Sequence, residues 1–200
     1  MRTGESTPRD LREYIIIDTE TTGFSPEDHR VIEVGALHVR DGEILGEYQA
    51  LVRTVDDVPW VIENVTGISS DMLEQRGRFP EEVFPELRQF IGDRIFVAHN
   101  VYFDFNFLNA EFIRHDLDMM QNLRICTVRT AKAGMPRLPD YKLSTIKTFL
   151  NLTYQSHRAL TDAYVCHEIM KRYGEYASVY DTPVLRSKYS GLNRLGWMRA

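Results

Sequence analysis

The sequence predicts an α/β fold: a mixed five-stranded sheet, an antiparallel meander followed by parallel strands, flanked by helices. Three observations carry that prediction. The chain is 200 residues long, 43% hydrophobic and 26% charged, the size and composition of one globular domain with its own core. Two strand-like runs, Val31–Val39 and Glu43–Val52, are joined by Asp41-Gly42, a dipeptide made for a tight hairpin turn. Beyond residue 55 the apolar residues recur at helical spacing, interrupted by short apolar runs, the alternation that lays parallel strands between helices.

Taken in order, residues 1–13 are polar and expected to form a flexible N-terminus. Tyr14–Ile17, ending at Asp18, has the β-branched and aromatic content of a strand buried on both faces, and Thr21-Thr22-Gly23 breaks it. After the hairpin, Val83, Leu87, Phe90 and Ile91 mark one helix face, its entry blurred by Pro80 and Pro85. Ile95–Ala98 reads as a strand, Tyr102–His115 as a helix with Phe103, Phe107, Leu108 and Phe112 apolar, and Leu123–Cys126 as the fifth strand. Thr127–Ala133 and Leu143–Leu150 read as short helices, and Arg158–Tyr173 as a helix with Ala159, Ala163, Cys166 and Met170 on one stripe. The expected domain is 14–177. It is followed by a tail, 178–200, whose Tyr180, Tyr189, Trp197 and Met198 lie among basic residues and offer a partner contact or simple packing.

Charge and cysteine content narrow the function. No apolar run approaches the ~20 residues that cross a bilayer, and the N-terminal segment lacks a secretory apolar stretch. Cys126 and Cys166 make no disulfide framework, so reduced thiols and a cytoplasmic location are expected. The net charge of −5 argues against bulk electrostatic nucleic-acid binding. Acid is unevenly spread: 178–200 holds Arg186, Lys188, Arg194 and Arg199 against Asp181, and 124–147 holds six Lys/Arg against Asp140. The acidic surplus therefore lies elsewhere, and a metal site is one place that uses it.

Asp18 and Glu20 are two apart at a strand end, so both carboxylates point to one face, with Cα atoms ~6.5 Å apart. They read as a polar turn or as converging ligands of one ion. Asp104 falls in the first turns of a helix, where the macrodipole favours an acid, yet its neighbours are Phe103 and Phe105. His99-Asn100 directly follows a strand, where parallel sheets place their ligands. His157 and Asp162 straddle a helix start, the acid flanked by Leu160, Thr161 and Ala163. Each signal alone has a structural reading as good as the functional one.

Their joint order is more specific. The segments Ile17-Asp18-Thr19-Glu20-Thr21-Thr22-Gly23, His99-Asn100-Val101-Tyr102-Phe103-Asp104 and His157-Arg158-Ala159-Leu160-Thr161-Asp162-Ala163, with Val65-Thr66-Gly67-Ile68 and Lys142-Leu143-Ser144-Thr145 between them, resemble the DnaQ-like, or DEDD, 3′–5′ exonuclease family over residues 14–175. The histidine five before the last acid is similar to the DEDDh branch, that of the proofreading epsilon subunit of bacterial DNA polymerase III. The resemblance implies a ribonuclease H-like sheet. It also implies a catalytic set of Asp18, Glu20, Asp104, Asp162 and His157, with Asp18 bridging two ions and Glu20 helping to hold the terminal 3′-OH.

The chemistry asks for these groups. Hydrolysis of a phosphodiester builds negative charge on attacking and leaving oxygens, which two divalent ions ~3.5–4 Å apart can clamp. Four carboxylates balance two such ions, and all-oxygen ligation favours Mg²⁺ or Mn²⁺. An imidazole titrates near neutral pH, which suits His157 to the general-base role. Thr21 and Thr22 are implied at the terminal nucleotide, His99, Asn100 and Phe103 lie near Asp104 as cleft candidates, and Val65 and Ile68 are candidates to wedge against its base. The substrate expected is single-stranded DNA or a frayed primer 3′ end, with a DNA polymerase subunit as candidate partner. Two alternatives stay open: an RNA 3′-end trimming enzyme of the same fold, and a catalytically silent polymerase-binding domain.

Overall fold

A computed structural model of the chain describes residues 11–154 and 157–181; the remainder of the expected tail, and residues 1–10 of the expected N-terminus, lie outside the described residues. The strands are β1 (Glu13–Thr21), β2 (Val31–Arg40), β3 (Glu43–Leu51), β4 (Ile95–Ala98), β5 (Arg124–Cys126) and β6 (Val179–Tyr180). The helices are α1 (Trp60–Thr66), α2 (Ser70–Arg76), α3 (Pro80–Ile91), α4 (Tyr102–Arg114), α5 (Thr127–Gly134), α6 (Leu143–Phe149) and α7 (Ala159–Tyr173). Among the described residues the sheet order is β3-β2-β1-β4-β5-β6. β1, β2 and β3 pair antiparallel, β4 runs parallel to β1 and β5 to β4, and β6 closes the far edge antiparallel to β5. This is the meander-plus-parallel sheet that the alternation predicts, with a two-residue sixth strand added.

The hairpin forms where expected: Asp41 and Gly42 both have positive φ, 51° and 83°, as a type I′ turn requires. Alternation along β1 explains the two layers. Ile15 and Ile17 pack with Phe84 and Leu87 of α3 and Phe105 and Phe112 of α4. Ile16 faces the other way, with Leu37, Val97 and the Ala163, Cys166 and Met170 of α7. All three isoleucines are fully buried, each burial stabilising by about 1.5–3 kcal/mol.

Three boundaries differ from the sequence reading. β1 begins at Glu13, inside the segment 1–13 expected to be flexible, because that carboxylate pairs with His38, Arg40 and Arg94. β1 also runs on to Thr21, so Asp18 and Glu20 sit within the strand, and the ladder becomes irregular only between Glu20 and Thr21. The sheet reaches Tyr180, past the expected domain limit of 177. Among the described residues no helix is long and apolar enough to cross a membrane.

One contact sets the position of α7. A Cβ at Gly35 of β2 would lie 2.1 Å from the backbone N of Leu160 and 2.3 Å from the carbonyl carbon of Ala159. Only glycine lets the first turn of α7 press onto the sheet there.

Candidate active site

β1 presents Asp18 and Glu20 on its α7-facing side, whereas Thr19 between them points toward α4. There Asp104, in the first turn of α4, accepts hydrogen bonds on Oδ1 from the Thr19 backbone N–H at 3.0 Å and from Thr19 Oγ1 at 2.8 Å. Asn100, φ 64°, supplies the left-handed turn that leads from β4 into α4. From the other layer, Asp162 of α7 accepts from the His157 backbone N–H at 3.0 Å. Glu20, His157 and Asp162 each offer a ligand atom within 4.8 Å of the others. A cleft of about 320 Å³ is lined by Asp18, Glu20, Asp104, Asp162 and His157, together with Asn100, Phe103 and, from the α6 segment, Lys142, Ser144 and Lys147. Residues distant in sequence thus meet at one end of the sheet.

His157 has φ 59°, a left-handed backbone costing a non-glycine residue about 1–2 kcal/mol. Such strain persists where neighbours over-determine it, and it clusters at functional sites.

The acids repel one another. Asp18 is pushed well above the usual carboxyl range, first by desolvation and then by Asp104, Asp162 and Glu20. Glu20 rises to about 8 through desolvation and then Asp162, Glu33 and Asp104. Asp104 rises to about 7 by desolvation, opposed by its bonds to Thr19, and desolvation raises Asp162 as well. A set of four carboxylates that resists ionisation is a donor set in want of cations, and its oxygen chemistry fits a divalent pair.

A pH dependence follows. A carboxyl raised in the folded state adds stability below the ordinary range near pH 4 and loses it as pH rises through the folded value. The metal-free protein is therefore expected to lose melting temperature steadily from the ordinary carboxyl values, 3.8 and 4.5, up to the raised ones at about 7 and 8, and to level off above them. Cations must displace those protons, so the gain on adding Mg²⁺ should be larger at pH 8 than at pH 6. Melting curves by differential scanning fluorimetry in EDTA and in Mg²⁺ check this; a Mg²⁺ gain independent of pH would contradict it.

The other predicted residues fall in different places. Phe103 lines the cleft, its ring 4.8 Å from that of Phe107. His99 also lines it, but both ring nitrogens are engaged, Nδ1 with Thr127 Oγ1 and Nε2 with the Tyr141 carbonyl, each at 2.9 Å. Burial lowers His99 to about 4, so the ring is neutral; Nε2–H donates to the carbonyl and Nδ1 accepts from Thr127. It ties β4 to the segment before α6 and keeps no nitrogen for substrate. Thr21 and Thr22 are buried outside the cleft lining: Thr21 Oγ1 donates to the Gly23 carbonyl, and Thr22 Oγ1 accepts from the Arg30 N–H. Val65 is half-exposed on α1, while Ile68 is fully buried beside Ile32, Val58 and Leu73; neither lines the cleft. Lys142 and Ser144 stand in a segment that carries the family resemblance but were given no role there, and Lys147 was legible only as part of a basic stretch. Glu33, buried in β2 and bonded to Arg158, was missed; the sign that could have found it is a lone carboxylate inside an apolar strand.

Comparison with known proteins agrees with this geometry. The chain is similar to the DNA polymerase III PolC-type of Clostridium perfringens, 32% identical over 185 residues, covering 88% of this chain and 12% of that protein. The 3′-5′ exonuclease DinG of Staphylococcus haemolyticus is 34% identical over 151 residues, covering 75% of this chain and 17% of that one. The chain thus spans a small fraction of either relative. In structure it is similar to E. coli Exonuclease I in complex with a dT13 oligonucleotide, with TM-score 0.73, 17% identity, and coverage of 80% of this chain and 40% of that one; they share the ribonuclease H-like fold. The RNase_T family model, described as "Exonuclease", matches residues 15–170, and across so much of its length the match decides the question of kinship: the protein belongs to the RNase_T exonuclease family.

Proposed function

We propose that the chain is a metal-dependent 3′–5′ exonuclease domain that releases nucleoside 5′-monophosphates from DNA 3′ ends, in proofreading or repair. The observation that carries this reading is the meeting of Asp18, Glu20, Asp104 and Asp162 with His157 in one open cleft. The 3′-5′ exonuclease and polymerase names of its relatives support the polarity and the substrate. Residues 14–177 act as the catalytic unit and 178–200 as a partner contact, in a cytoplasmic protein working on single-stranded or frayed DNA, alone or beside a polymerase.

Two Mg²⁺ or Mn²⁺ ions, held by the four carboxylates, would supply the positive charge that stabilises attacking and leaving oxygens. His157, exposed at the cleft mouth, takes the proton of the attacking water. Asp162 fixes the His157 backbone through its N–H. Thr19 holds the Asp104 carboxylate in place through two bonds. Glu20 orients the terminal 3′-OH. Phe103 offers a ring face for the terminal base, where stacking is worth about 1–3 kcal/mol and tolerates any sequence, and Asn100 a polar edge beside it. Lys142 and Lys147 face the phosphates. Thr21 and Thr22 shape the turn after β1 through their bonds to Gly23 and Arg30, and Val65 and Ile68, outside the cleft lining, are given no contact with the nucleotide.

The test uses 5′-labelled single-stranded DNA, mismatched primer-template and RNA with Mg²⁺. A one-nucleotide DNA ladder abolished by EDTA and by Asp18→Ala supports the reading. Trimming of RNA alone, or binding without cleavage, overturns it. In the same assay His157→Ala is expected to lower kcat by about 10²–10⁴, with DNA binding retained.

A further inference from the structure

Glu33 takes no part in the reaction just described, yet its surroundings are built. It lies in β2 between Ile32 and Val34, wholly buried, and its cross-strand partner in β1 is Glu20. Two carboxylates side by side in a buried ladder are unfavourable unless one is neutralised by a cation. Arg158 supplies that cation as a fork: Nη2 donates to Glu33 Oε1 at 2.7 Å, and Nε donates to both oxygens at 3.1 Å. The Ala159 backbone N–H donates to Oε2 at 3.1 Å, and Gln49 Nε2 to Oε1 at 2.9 Å.

Arg158 and Ala159 are the cap and first residue of α7, and the residue before them is His157, whose backbone is left-handed. One restraint on that strained residue is its N–H bond to Asp162. Glu33 gives the second, on its C-terminal side. The contact of Ala159 and Leu160 with Gly35 brings the same turn of helix against the same strand.

We propose that Glu33 and Arg158 form a clamp that fixes the backbone of His157 and the first turn of α7, so that the imidazole and the Asp162 carboxylate are aimed into the cleft. Both are positioning residues: they act through His157 and Asp162 and touch no substrate. The inference rests on the exonuclease reading for its kinetic consequence, though not for its structural one.

The experiment compares Arg158→Ala, Glu33→Gln, the double variant and Arg158→Lys with the native protein. Kinetics on 5′-labelled single-stranded DNA with Mg²⁺ are read beside hydrogen–deuterium exchange of residues 157–163 in the metal-free protein. Each single variant is expected to lower kcat about 10–100-fold with KM within about two-fold, as a misplaced catalytic group does. Exchange of the segment should quicken by at least about ten-fold, since a restraint on its backbone is lost. The double variant should be no slower than the worse single, because both remove one bond, and Arg158→Lys should recover part of kcat. Unchanged kcat and exchange overturn the clamp. So does a KM that rises in step with the loss, which would make Arg158 a substrate contact, or losses that multiply in the double variant. Should Glu33→Gln fail to fold, Arg158→Ala, at a half-exposed residue, decides alone. If the native protein leaves DNA uncut, the exonuclease reading fails while exchange still decides the clamp.

Discussion

Asp18→Asn is expected to abolish cleavage while making the metal-free protein more stable. The side chain keeps its shape, so the loss is of charge alone. Asp18 feels Asp104, Asp162 and Glu20 at once, and without it the remaining three acids no longer balance two divalent ions. Turnover should fall by at least about 10³-fold, the scale of losing the charge stabilisation such ions give. The same charge is a burden when no cation is present. A carboxyl raised in the folded state costs stability progressively as pH climbs from its ordinary value to the raised one, so removing it should help most in alkaline buffer, above both. A rise of several degrees in melting temperature is the expected result. The Mg²⁺-induced rise in melting temperature should shrink in parallel. Retained cleavage, or a lower melting temperature at pH 8 in EDTA, would contradict the assignment of Asp18 to the metal cluster.

Gly35→Ala is expected to damage stability and turnover together. The atoms its methyl would meet are backbone, 2.1 Å and 2.3 Å away, and backbone cannot swing aside as a side chain can. Either β2 or the start of α7 must shift, and α7 carries Asp162. A stability loss of about 2–4 kcal/mol is expected from the forced repacking, with kcat lowered about 10²-fold by displacement of the site. Gly46→Ala is the control: the nearest atom to its added methyl is a Phe90 ring carbon at 3.7 Å, an ordinary contact, and the change should stay within about 1 kcal/mol. Urea melts and kcat on both variants check the contrast; equal effects would show that the close approach at Gly35 is unimportant.

The sheet was legible because its signals are local. Asp41-Gly42 names its turn, and the isoleucines of β1 name a strand covered on both sides. The acids were legible for a related reason: each stands beside a change of period, Asp104 just past β4 and Asp162 just inside α7. What escaped the sequence has equally physical causes. α1 buries only Thr66 and α2 only Leu73, so neither shows an apolar stripe, although Ser69 caps α2 by accepting from Met72 and was a readable sign. β6 is two residues long, below any periodicity. His99 looked like a cleft ligand by its position after β4; that Thr127 and Tyr141 occupy both its nitrogens is a long-range fact that spacing does not encode. Glu33 belongs to the same class, since its partner Arg158 lies far along the chain.

The wide separation of Asp18 from Asp162 along the chain has a consequence for translation. On the exonuclease reading, a nascent chain that has passed α4 already carries Asp18, Glu20 and Asp104. It lacks the histidine and the last acid until α7 has been made. The catalyst is therefore incomplete until α7 has been made and has docked against Gly35 of β2.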